Sequence, residues 1–86
     1  MTSLIPPELG HLLALRRVRR GHVVLLGTGL FLHQGRPIPG YLDAPLRDLL
    51  ASGHLHLGER REWEQRPVLA TTSGEQLHTT LENPES

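Results

Sequence analysis

The chain has 86 residues, with nine Arg, no Lys and nine Asp plus Glu, so its formal net charge is zero and only a uniformly basic protein is excluded by charge. That length suits one small domain burying roughly 60–70% of the surface its unfolded chain exposes. The lack of Cys excludes disulfide frameworks, zinc–thiolate and iron–sulfur sites and cysteine nucleophiles, and single copies of Phe, Trp, Tyr and Met argue against an aromatic cage or base-stacking platform.

Pro7 and Glu8 suit the first turn of a helix, one by its fixed φ and the other by its charge at the positive helix end. Ile5, Leu9, Leu12 and Leu13 form an apolar stripe, widened by Leu15 and Val18. Arg19, Arg20 and Gly21 make a stop, so the first helix is expected at about Pro7–Arg20. His22–Leu26 and Leu30–His33 flank Gly27-Thr28-Gly29 and read as a β-hairpin. Gln34-Gly35-Arg36 reads as a second turn, and Pro37, Pro39 and Gly40 are expected to prevent any regular element before Tyr41.

Leu42, Leu46, Leu49 and Leu50 form a one-sided helical stripe. With Asp43 as N-cap, Pro45 in the first turn and Gly53 as stop, a helix is expected near Ala44–Ser52. His54–Leu57 alternates strictly, as a half-buried strand does, with both His on one face. The charged stretch Gly58–Arg66, which holds the only Trp, is expected as a polar hairpin tip before a return strand at Pro67–Thr71. Thr72 with Glu75, or Ser73 with Gln76, offers a capping box for a two-turn helix carrying Leu77 and Leu81. Glu82–Ser86 reads as a frayed acidic tail. The longest apolar run, Val23–Leu26, falls far short of the ~20 residues of a membrane span, and nothing resembles a signal peptide, so the expectation is one soluble, cytoplasmic domain spanning residues 1–86.

A Leu-striped helix running into "ASGHLHL", a charged hairpin, then "RPVLATTSGEQL" resembles the closing half of a winged-helix DNA-binding domain over about Tyr41–Leu81. The Arg-rich, Lys-free composition is similar to that of small winged-helix-like proteins of actinobacterial type. The resemblance implies an α+β fold: N-terminal helix, β-hairpin, central helix, β-hairpin wing and short C-terminal helix. A full winged helix has a second helix before the recognition helix. Here Gln34–Gly40 is too short and too rich in Pro and Gly to hold one, and the hairpin His22–His33 stands in its place.

Arg16, Arg17, Arg19 and Arg20 lie in a stretch free of acids from Glu8 to Asp43, a pattern suited to phosphate contact. Its ordinary alternative is a solvated helix end that complements the helix dipole. The resemblance puts Arg60, Arg61 and Arg66 in the wing, interleaved with Glu59, Glu62 and Glu64, and Arg47 on the recognition helix, where Asp43 and Asp48 accompany it. Arg36 and Tyr41 precede that helix and complete the set expected to touch duplex DNA. Trp63 is the candidate anchor for a protein partner, which supports an alternative: an interaction module on the same scaffold, without DNA binding. A homodimer through the first helix or the hairpin is expected in the DNA-binding case. His54 and His56 project together, a geometry compatible with two imidazole ligands, and a third would have to come from His22, His33 or a wing Glu; without Cys or a spacing such as His-Glu-x-x-His, no metal or cofactor is assigned. No nucleophile elbow, phosphate loop or isolated carboxylate pair is present, and no enzymatic activity is expected.

Overall fold

The computed structural model describes residues 7–83, so Ile5 and most of the acidic tail lie outside the described residues. Three helices, α1 (Pro7–Arg20), α2 (Asp43–Ala51) and α3 (Thr72–Glu82), pack with five strands: β1 (Val23–Leu25), β2 (Phe31–His33), β3 (Arg36–Pro37), β4 (Leu55–Leu57) and β5 (Arg66–Ala70). The fold is α+β, and the strands form one antiparallel sheet in the order β3-β2-β1-β5-β4. β5 is the joint of the sheet. Its first residues, Arg66 and Pro67, pair with β1, and Val68–Ala70 pair with β4.

Strand parity decides which side chains meet the helices. Val23, Phe31, Leu55 and Val68 are buried with Ala14, Leu15 and Val18 of α1 and Leu42, Leu46 and Leu49 at α2. Leu77 and Leu81 of α3 pack against that cluster. The alternate positions, Val24, Leu32, Pro37, Pro67 and Leu69, lie on the other face of the sheet. Leu9, placed in the first helix's stripe by its spacing, is exposed, and Ala14 takes the interior position instead.

Hairpin chemistry accounts for the strand absent from the sequence reading. Gln34 and Gly35 both have positive φ (54° and 80°), as the two central residues of a type I′ turn require. This tight turn folds Arg36 and Pro37 back so that they pair with His33 and Leu32. Pro37 is accommodated because β3 is an edge strand and one side of its backbone needs no donor. Gly40–Leu42 then forms a single 3₁₀ turn.

The helix starts also differ from expectation by small steps. Asp43 is the first residue of α2 and does not cap it. The position before α2 belongs to Leu42, which has no capping side chain, and the Asp43 carboxylate accepts from Arg47 instead. At α3 the cap is Thr71, one residue before the Thr72 box and two before the Ser73 box: its Oγ1 accepts from Gly74 N at 3.1 Å and donates to Gly53 O at 2.8 Å. Gly74 is fixed by this junction, because a Cβ there would collide with the His54 carbonyl oxygen. α3 runs three turns and ends at Glu82, so Glu82 is a helical residue with partners and not part of a frayed tail.

Candidate functional site

The arginines of α1 separate into two stripes because residues three apart share a helix face. Arg16 and Arg19 turn to α3. Arg16 Nε donates to Glu82 Oε1 at 3.3 Å, and Arg19 Nη1 pairs with Glu75 Oε2. Glu82 Oε1 also lies 2.9 Å from Nε2 of His78, the one buried polar residue among those described.

Arg17 turns the other way and donates from Nη1 to Nδ1 of His33 at 3.2 Å. A guanidinium has no acceptor, so that ring nitrogen must be unprotonated. Burial is the main influence holding the His33 pKa below its ordinary value; the charges of Arg17, Arg20 and His22 act in the same direction, and the Gly21 backbone opposes them. Arg17 and Arg20 thus lie near His33 at the end of α1. Arg36 joins them as the cross-strand partner of His33.

Arg61 approaches the same end of the sheet from the β4–β5 hairpin. With Gly21, His22, Gln34, Gly35 and Gln65 it rims a cleft of about 790 Å³ whose floor includes Val24, Leu32, Pro67 and Leu69. Among the described residues no Asp or Glu lines this cleft. The backbone holds its rim in place: His22 has φ 66°, and Arg61 N donates to Gln65 O at 2.7 Å.

The remaining sequence candidates lie elsewhere. Arg60, although next to Arg61 in sequence, lines a second depression of about 350 Å³ with Glu64, Arg66, Leu57 and the 25–29 turn region. Arg66 is half-buried and donates from Nε to Gly58 O at 3.0 Å, which ties the base of the hairpin together. Arg47 is held on three sides. Nε donates to Asp43 Oδ2 at 2.9 Å, Nη2 donates to Gly29 O at 2.6 Å, and the guanidinium lies 5.2 Å from the Phe31 ring centroid. Tyr41 is half-exposed on the 3₁₀ turn before α2. Trp63 lies in a 3₁₀ turn, Glu62–Glu64, and its side chain is outside the described residues.

His22, His33 and Gln34 belong to this basic end and were not assigned to it from sequence. The available signal was the hairpin itself, since pairing Val23 with His33 brings both ends of the hairpin to the end of α1. His54 is tied by Nδ1 to Ser73 Oγ at 3.1 Å, while His56 is exposed. Among the described residues no three His, Asp or Glu side chains gather closely enough to hold a metal ion, and no helix is long and apolar enough to cross a membrane. Comparisons with protein-family models, with curated proteins and with solved structures returned no match.

Proposed function

We propose that this chain is a small winged-helix-like module that binds duplex DNA through phosphate contacts at the α1–hairpin end. The observation that carries the reading is charge segregation inside a neutral chain. Arg16 and Arg19 are matched by Glu82 and Glu75, whereas Arg17 and Arg20 lie near His33, Arg36 is its cross-strand partner and Arg61 shares a cleft with His22, none of the four in an ion pair to an acid among the described residues. Such a patch attracts the regularly spaced phosphates of a duplex whatever the whole-chain sum. The sheet order supports the winged-helix part of the reading: β5 returns between β1 and β4, and the charged 58–65 segment is the tip of the β4–β5 hairpin, where a wing would be.

Arg47 is left out of the proposed contact set, because its donors already serve Asp43 and Gly29. The mode is therefore backbone binding with little base readout, and a single module of this kind falls in the non-specific affinity range of about 10⁻⁴–10⁻⁶ M at physiological salt. The test is an anisotropy titration of a labelled mixed-sequence duplex at several salt concentrations. Four phosphate contacts give a slope of log K against log salt near −3.6, about a hundredfold loss between 50 and 200 mM. Absence of binding at the lowest salt, or a flat salt dependence, would overturn the reading.

A further inference from the structure

The open face of the sheet carries a second feature. Cross-strand register aligns Pro37 with Leu32, Leu32 with Val24 and Val24 with Pro67 in one row across four strands. Leu69, two residues along β5 from Pro67, extends the row on the same face, and His56 of β4 stands opposite it. With neighbouring strands ~4.8 Å apart, the row is about 14 Å wide. Leu69 is 43% exposed. The helices occupy the other face, so this row has no partner of its own among the described elements. Above the row stand the ionisable rim groups His22 and Arg61, together with the amides of Gln34 and Gln65.

We infer that this face docks a protein segment carrying two or three aliphatic side chains flanked by carboxylates. The aliphatic groups would cover Val24, Leu32, Pro67 and Leu69, where burial is favourable in proportion to apolar area. The carboxylates would meet Arg61 and the imidazole of His22, the ionisable side chains that line the cleft among the described residues. Complementarity of charge selects this occupant over a second copy of the chain. In a two-fold pairing of identical faces, the described lining of neither copy would offer an Asp or Glu to Arg61 of the other. The aliphatic floor selects against nucleic acid as its cover, since a duplex held at Arg61 would leave that floor facing a polar backbone.

The test uses the whole chain and a fluorescein-labelled peptide of alternating Glu and Leu pairs, with a Lys-for-Glu version as control. Binding of the acidic peptide is expected to weaken about tenfold or more in Leu69→Asp and in Arg61→Glu, the scale of an interface anchor. It should be unchanged in Leu9→Asp, which alters an exposed Leu on α1. Amide resonances of Val24, Leu32 and Leu69 should shift on titration, and circular dichroism of each variant controls for folding. The inference is overturned if the acidic peptide does not bind, if the Lys version binds equally, or if the shifts fall on α1. It is overturned as well by the other occupants: self-association in sedimentation that Leu69→Asp abolishes, or a duplex that shifts the same three amides and loses affinity in Leu69→Asp.

Discussion

Arg16 and Arg19 face α3, where Glu82 and Glu75 meet them, whereas Arg17 and Arg20 face the end of the sheet, where their neighbours are His33 and His22. Both pairs come from one five-residue stretch and one residue type. Their difference shows that a run of arginines in a helix is not one patch. A helix advances ~100° per residue, so alternate members meet different neighbours. Half of this cluster fastens a helix pair, and half stays available to an outside anion. The exposed ion pairs themselves contribute little stability, about 0–1 kcal/mol each. Their larger consequence is to remove two cations from the surface.

Replacing Arg17, Arg20, Arg36 and Arg61 together by Ala should break the proposed patch most severely. Duplex affinity at low salt is expected to fall by about a hundredfold or more, and the salt slope to approach zero. The matching variant, Arg16→Ala with Arg19→Ala, should change affinity by no more than about threefold, since both side chains already have acidic partners. Equal losses in the two variants would erase the distinction between the stripes.

Glu75→Gln sharpens the comparison from the other side. It frees Arg19, so duplex binding should strengthen by several-fold and the salt slope should steepen by about one phosphate. An unchanged slope would mean that Arg19 faces away from the bound duplex even when released.

Arg47→Ala separates fold from binding. Loss of the Asp43 pair, the Gly29 hydrogen bond and the contact over Phe31 should move the midpoint of a urea melt to lower concentration. Duplex affinity, measured where the protein remains folded, should stay within about twofold of the parent.

The smallest effect concerns pH. His33 is depressed in the folded chain, chiefly by burial and then by Arg17. Its contribution to stability is therefore complete above the unfolded value near 6.5 and is lost as pH falls through the lower folded value. Stability should decline as pH falls below about 6.5, and His33→Asn should flatten that decline. A steeper decline in the variant would assign the pH response to other groups.

Local signals predicted most of the elements. The Leu spacing of residues 42–50, the apolar stripe of α1 and the alternation at 54–57 each correspond to an observed element within one or two residues. These patterns arise because one face of each element must be apolar, a requirement written in neighbouring residues. β3 was missed because Pro37 and Pro39 speak against a strand in isolation. Only a type I′ turn and an edge position make Arg36–Pro37 pair.

By itself, the sequence determined one small α+β chain, its Leu core, its two hairpins and a local surplus of Arg with no Lys. Tertiary structure decided which of those arginines keep their charge available. Glu75 and Glu82 lie 56 and 66 residues from the arginines they meet, and Arg47 is restrained by a carbonyl 18 residues away. Charge acts through space, over about a Debye length at most. Its sign at a surface therefore follows from packing that brings distant residues together, and no local window contains that information.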